Sequence, residues 1–564
     1  MSEEMNFEET APWLALLTTL VGAGLRLLFL GKNGMWLDET FSVWLANQNL
    51  PDMLGWVAAL DGHPPLYYLL LHGWIAHQGD APYTARLLSV LFGTLTIPIM
   101  YLAGKRIAGV MMGLAAAVLL AFSPFNIYYA QEARMYTLLT FNAAVAIYAL
   151  LRLLTDPRAG QPIGGQFRAY LHTWRTAGPL EPAPAEGFSY PVEPPRRGLR
   201  GWIYRHRWSP IQTVETDLAW VAFIVFSAAT LLTHNMALFF PAATNLFVLG
   251  LLLFRRLHKT APPAFEAPPA FDAPTLASWL KAQLAILLLW SPWIPALIRQ
   301  AGRIDQAFWI PQPTWDIVYQ TLRSLIYTSA PAQASQASQL WLLCALLILG
   351  LVFFRKKLSI FFFLAALFAV PFLGELLVSL RRPVFLDRTL IWLTIPLFLL
   401  LAAGIVQLRY RLLMVVALGF LATGYLFTTA DYYRWYQKED WDAAAGFVGY
   451  YAENDDLVLF NSNFVVIPFD YYFPTYADKY YLTVEKRGLP LDLFESRVME
   501  PRMTTADIPG LLSLIRGRDR VWLVYSHNSY TDPQGLIPQT LAAHMRLSRS
   551  RDFYGGQVQL YVNP

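Results

Sequence analysis

One cysteine, Cys344, stands in a chain of 564 residues, so an intrachain disulfide framework and a cysteine-based zinc site are both excluded. It lies in the apolar run 340–351, where packing is its natural role. Charge is scarce too. Lys, Arg, Asp and Glu make up 15% of the residues and leave a net +4, which gives no basic surface for a nucleic acid partner. The first residues carry Glu3, Glu4, Glu8 and Glu9 without a Lys or Arg. No A-x-A site follows the first apolar run, so that run is expected to be an uncleaved anchor and not a signal peptide.

Apolar surface is what the chain has in excess. The hydrophobic share is 55% and the mean hydropathy +0.37, above the range of soluble proteins. With 19 Trp, 29 Tyr and 36 Phe it is also rich in the rings that settle at membrane–water boundaries. A span needs about 20 apolar residues. Eleven stretches qualify: 12–30, 82–104, 108–127, 133–154, 218–233, 236–254, 276–298, 340–354, 358–380, 389–408 and 412–428. The stretch 65–76 is too short to cross. Lys105 and Arg106, then Arg255, Arg256 and Lys259, then Arg355, Lys356 and Lys357, then Arg409 and Arg411 mark cytoplasmic turns. The arginine-rich loop 155–216 belongs on the same side. All of these agree only if 65–76 lies on the outer surface as an interfacial helix, with the N-terminus inside and the C-terminus outside.

The loop 155–216 is expected to be largely disordered and 261–274 to be a linker, since neither composition can build a core. Beyond residue 429 the pattern changes to a helix at 440–452, a strand at 457–461, aromatic strands to 484, a helix at 505–516 and a strand at 521–525. It carries no nucleotide-binding glycine pattern. The expected fold is therefore a mainly α, polytopic transmembrane bundle of about eleven spans with outer-face interfacial helices (1–429), followed by a small extracytoplasmic α/β accessory domain (430–564). The expected location is the inner cell membrane.

Ionisable groups near a bilayer are costly and mark function by default. Here they gather in the turns assigned to the outer side. Asp38 and Glu39 follow the first span. On a starting helix two adjacent carboxylates diverge, so one can face a cleft while the other caps or pairs elsewhere. Asp61 and His63 precede Pro64-Pro65-Leu66-Tyr67-Tyr68, and Gln131-Glu132-Ala133-Arg134-Met135-Tyr136 occupies the next outer turn. Glu132 and Arg134 have each other as the plainest partners. His234 breaks an apolar run between Thr233 and Asn235, and Arg381, Arg382, Asp387 and Arg388 sit on the side that positive charge usually avoids. Guanidinium groups kept there suit an anionic ligand such as phosphate. Arg26, inside the first span, is placed to snorkel toward the same headgroup or to form an internal salt bridge.

These motifs, in this order and on one side, resemble the C-type membrane glycosyltransferases, and within them the protein O-mannosyltransferase and lipid A aminoarabinose transferase group. The resemblance covers roughly 12–429 and is strongest up to Tyr136. It implies a polyprenyl-phosphate sugar as donor, Asp38 as catalytic base with Glu39 beside it, and basic outer-loop residues holding the lipid phosphate. His63 stands where the aminoarabinose transferases place Glu-Lys before Pro-Pro, so the usual lysine is missing. Glu132, Arg134, Tyr136, His234, Arg382 and Arg388 join Asp61 and His63 as candidate substrate ligands. The acceptor and any metal or other cofactor stay open. The rival class is a lipid or solute transporter or flippase, but that class places its ionisable residues at mid-membrane, where Glu375 is the main example here.

Overall fold

A computed structural model of the chain describes residues 2–59, 63–156, 163–166, 168, 215–257, 274–301, 310–327, 334–355, 357–498 and 500–564. Asp61, most of the loop 155–216 and nearly all of the linker 261–274 lie outside the described residues.

All eleven apolar stretches are helical. Among the described residues, eight helices are long and apolar enough to cross a membrane, or nine if the bent pair Val110–Phe122 and Pro124–Ala130 counts as one span. The chain is a multi-pass membrane protein. Two of the eleven expected spans fall short of that measure. The helix Glu215–Leu231 has 17 residues, and Ala334–Phe354 offers only the shorter apolar stretch Gln339–Phe354.

The first part of the bundle carries the site. Its helices are α1 (Ser2–Leu27), α2 (Leu37–Ala46), α3 (Leu50–Ala59), α4 (Leu66–Gln78), α5 (Pro82–Ala108), α6 (Val110–Phe122), α7 (Pro124–Ala130) and α8 (Tyr136–Leu154). The 13 residues of α4 span about 20 Å, so the stretch read as non-crossing is indeed too short to cross. The helices α5 and α6 form a hairpin closed at Gly109, whose φ of +84° is reached without strain only by glycine. A Cβ on Gly104 would come within 2.8 Å of the Gly113 backbone, so small residues let these two helices touch.

Between α6 and α7 the axis turns by 56°. Pro124 has no N–H for the carbonyl four residues back, and in a membrane helix such a carbonyl must be satisfied from elsewhere. Arg26 does this. Its Nη2 donates to Leu120 O at 3.1 Å, and its Nη1 to Ala121 O at 3.0 Å and Gly22 O at 2.9 Å. The side chain is fully buried, so Arg26 does not snorkel toward a headgroup. Its guanidinium replaces backbone donors lost at the break. Gln131, just past α7, closes the end of α1 in the same way by donating to Arg26 O (3.0 Å) and Leu28 O (2.7 Å).

The last membrane helix runs Arg411–Trp435, six residues beyond the expected boundary. The domain after it has five strands, β1 (Leu457–Phe460), β2 (Glu485–Gly488), β3 (Arg520–Tyr525), β4 (Arg546–Phe553) and β5 (Gly556–Val562), in the order β2-β1-β3-β5-β4. β1 pairs in parallel with β2 and β3, whereas β5 is antiparallel to β3 and β4. All of β1 is buried, as its continuous apolar run requires. The aromatic stretch read as strands is instead the helix Val466–Tyr480. Tertiary packing wins over ring-rich β propensity here, because Phe469 and Phe473 point one way into the core at helical spacing. Tyr472 from this helix receives a hydrogen bond from Met35 N at 2.6 Å, so the domain rests on the turn that leads into α2.

Arg26→Met keeps the stem and removes the donors. It is expected to destabilise the protein by about 1–3 kcal/mol for each carbonyl left without a partner. The drop will be read as a lower melting temperature in detergent, with Arg26→Lys recovering part of it. An unchanged melting temperature for Arg26→Met would show that the break is satisfied without it.

Candidate active site

Asp38 and Glu39 both lie in the first turn of α2, where free backbone N–H groups favour negative charge. One residue apart on a helix, they point about 100° away from each other. Their surroundings differ completely. Glu39 is fully buried, whereas the Asp38 side chain keeps 24% of its surface.

Glu39 is saturated. Its Oε1 accepts from Arg86 Nε at 2.7 Å and from the Ala133 backbone N–H at 2.9 Å. Its Oε2 accepts from Arg86 Nη2 at 2.7 Å and Lys438 Nζ at 2.8 Å. Burial pushes its pKa up, but Arg86 and Lys438 outweigh this and bring it down to about 2. Arg86 spends its other donors on Leu30 O, Asn33 O and Gly34 O, at 2.8–2.9 Å, stitching the turn between α1 and α2. Glu39 thus occupies the place of an anchor for the strip that presents Asp38.

Asp38 faces two guanidinium groups. Its Oδ2 lies 3.1 Å from Arg388 Nη1 and 4.0 Å from Arg134 Nε. Arg388 begins the short 3₁₀ turn Arg388–Leu393, some 350 residues further along the chain, and sits 5.9 Å above the Tyr136 ring. Arg134 Nη1 donates to Asp38 O (3.2 Å), Ser42 Oγ (3.1 Å) and Tyr68 OH (3.4 Å). The side chains of Glu132 and Arg134 part company. Glu132 turns inward, buried, with Oε1 3.6 Å from Lys438 Nζ, and burial raises its pKa against the pull of Lys438.

His63 and His234 meet with ring centroids 4.8 Å apart, and His234 lies 6.5 Å from the Tyr136 ring. Asp38, His63, Arg134, Tyr136, His234 and Arg388 therefore share one locality, with Glu132 behind them. Arg382 is half-buried on the turn that precedes Arg388. Among the described residues no three His, Cys, Asp or Glu side chains gather as a metal site.

Four contributors, Arg86, Lys438, Glu439 and Glu500, were not singled out in the sequence. Arg86 carried a signal, as a lone charge at the start of an apolar run. Lys438 and the residues around it carried none, because they follow the last span by only a few positions. From the C-terminal domain, Glu439 accepts from Leu37 N at 3.2 Å and from Trp441 Nε1 at 2.7 Å, and lies 3.2 Å from His527 Nε2. Glu500 is hydrogen-bonded to Tyr530. Burial pushes its pKa up to about 7, His527 opposes this, and the charge of Asp38 adds to it. The domain expected to be accessory thus reaches the edge of the Asp38 locality.

The sequence profile of the dolichyl-phosphate-mannose-protein mannosyltransferases matches residues 62–164, the stretch holding His63, Glu132, Arg134 and Tyr136. No curated protein sequence matches the chain. Among solved structures, the chain is similar to ArnT from Cupriavidus metallidurans in the apo state, with a TM-score of 0.55 and 13% identity over 98% of both chains. ArnT of the same organism bound to undecaprenyl phosphate matches with a TM-score of 0.52 and 13% identity, over 97% of both chains. The Archaeoglobus fulgidus oligosaccharyltransferase tethered to an acceptor peptide matches with a TM-score of 0.52 and 9% identity, over 99% of this chain and 74% of that one. The fold is that of the C-type membrane glycosyltransferases. Profile and fold point to one enzyme class and bear out the resemblance drawn from the motifs.

Because Glu39 titrates lower in the folded protein than its ordinary 4.5, the stability it supplies is complete above pH 4.5 and is lost as pH falls from there toward 2. Melting temperatures in detergent are expected to decline over that window in the wild type. Glu39→Gln should start lower and decline less steeply; parallel slopes would remove Glu39 from the acid transition.

Proposed function

We propose that the chain moves a sugar from a polyprenyl-phosphate donor to an acceptor hydroxyl or amine, at the outer membrane face and with inversion. The observation that carries this reading is the Asp38 carboxylate held beside Arg388 and Arg134, half open to its surroundings. The similar ArnT structure bound to undecaprenyl phosphate supports the class of donor.

The reaction poses two demands. A base must take the proton of the attacking group, and cations must receive the charge that builds on the leaving phosphate. Asp38 answers the first. As the acceptor oxygen or nitrogen bonds to the anomeric carbon, its proton passes to the Asp38 carboxylate. The bond from that carbon to the phosphate oxygen breaks, and its electron pair leaves with the polyprenyl phosphate. Arg388 and Arg134 answer the second demand, since each presents planar N–H groups suited to phosphate oxygens. Without a donor, Arg388 rests on Asp38. A phosphate entering beside it draws the guanidinium away and leaves the carboxylate to the acceptor. A single base with direct displacement gives inversion at the sugar carbon.

The short helices α2, α3 and α4, together with the C-terminal domain, lie around this pocket on the outer side in this reading. The lipid tail stays among the membrane helices. Tyr136, beneath Arg388, and Arg382, on the turn before it, are assigned to the donor side.

Asp38→Asn is expected to lower transfer from a labelled polyprenyl-phosphate sugar by about 10²–10⁴-fold, with the protein still folded and inserted. Transfer by this variant at near the wild-type rate would end the base assignment. Arg388→Ala is expected to raise KM for the donor by about tenfold to a hundredfold, the worth of one charge-assisted contact. Unchanged donor kinetics would take Arg388 out of the phosphate site.

A further inference from the structure

His234 holds an unusual position for a polar ring. It is 4% exposed and stands at the junction of the helix Glu215–Leu231 with the short 3₁₀ turn Asn235–Leu238. Its Nδ1 caps that turn by accepting the Met236 backbone N–H at 3.1 Å. A nitrogen that accepts has its lone pair in use and carries no proton, so the neutral ring bears its proton on Nε2. That Nε2 is buried with no hydrogen-bond partner among the described residues. The same ring packs against His63 and Tyr136 in the locality of Asp38.

A buried donor left unmatched is costly, and native structures keep one chiefly where a ligand completes it. We propose, resting on the donor reading above, that His234 Nε2–H binds a hydroxyl oxygen of the donor's sugar and so helps to select the sugar.

The choice of a hydroxyl over the phosphate follows from the ring's two ends. A second proton on Nδ1 would set N–H against N–H at the Met236 cap, so the ring is held neutral by its own backbone contact. Burial works the same way, with His63, Arg388 and Arg134 adding to it, and these place its pKa well below the ordinary 6.5. The phosphate has two permanent cations for its charge. A single neutral N–H is matched instead to a neutral oxygen, where a donor missing from the ligand, or an acceptor missing from it, is felt strongly.

Two substitutions separate the two ends of the ring. His234→Asn retains a capping acceptor near the Nδ1 position, and its amide falls short of Nε2. His234→Gln carries an amide N–H close to Nε2. Binding to the full-length protein in detergent is measured with polyprenyl phosphate and with polyprenyl-phosphate hexoses. We expect His234→Asn to weaken the hexose bound best by the wild type about tenfold and leave polyprenyl phosphate unchanged. His234→Gln should stay within about threefold of the wild type for both. Arg388→Ala should weaken both ligands together. Equal loss of both ligands in His234→Asn would assign the ring to the phosphate, and no loss of either would assign it to packing; each overturns the proposal. Equal damage by Asn and Gln, with a lower melting temperature, would make it a structural cap and also overturn it. Failure of the wild type to bind either lipid would instead overturn the donor reading on which the proposal rests.

Discussion

The buried carboxylate of Glu39 is the contact on which the rest of the site depends. Four donors from three other parts of the chain converge on it: two from Arg86 on α5, the Ala133 backbone from the turn after α7, and Lys438 from the entry to the C-terminal domain. A carboxylate taken out of water costs several kcal/mol and is tolerable only with its lone pairs filled. That requirement binds four segments into one geometry. Removing any donor leaves a charge in the interior, so none of the segments can drift without penalty. The C-terminal domain is tied to the membrane part by the same rule. Lys438 reaches both Glu39 and Glu132 from the last turn before that domain begins.

This anchoring explains how one helix turn serves two purposes. Glu39 has both oxygens engaged and a pKa near 2, so it is poorly suited to receive a proton. Asp38, next in sequence, escapes that fate because the helix carries it round to the open side. There it meets cations that also have other work. Arg134 is fastened by Ser42 and Tyr68, and Arg388 lies against Asp38 and the Tyr136 ring. In the proposed reaction both guanidinium groups are at hand for the phosphate.

The membrane fold was legible in the sequence because each apolar run spells its own helix. Eleven segments are helical where hydropathy put them, and the short stretch before Gln78 is too short to cross. The convergence of Asp38, Arg134 and Arg388 was also legible, since charges held in turns on one side of a membrane protein have few other reasons to be there. Arg26 was misread because its role is set by a proline 98 positions away. Its partners are backbone carbonyls, which leave no trace in side-chain chemistry. Lys438 and Glu500 were missed for a related reason: their place depends on how a separate domain docks, and no local pattern encodes docking. The helix Val466–Tyr480 was read as strands because its rings suit a pleated surface, and only the core beneath them selects the helix.

The balance of charge in this locality bears on catalysis itself. Two guanidinium groups, Arg388 and Arg134, stand against the single carboxylate of Asp38. A sugar diester of phosphate brings one negative charge, and the released polyprenyl phosphate carries nearly two at neutral pH, as a phosphomonoester does. In the proposed reaction, the two guanidinium groups beside Asp38 favour the charge that grows as the bond breaks over the charge that arrives, which is the condition for lowering a barrier instead of merely holding a substrate. In that proposed reaction, proton transfer to Asp38 moves in step with this. Once protonated, Asp38 no longer balances Arg388, and the guanidinium is left to the departing phosphate. In this reading the base and the phosphate-binding tasks are coupled through that one pair, so the strength with which Arg388 holds Asp38 at rest sets how readily it lets go when phosphate arrives.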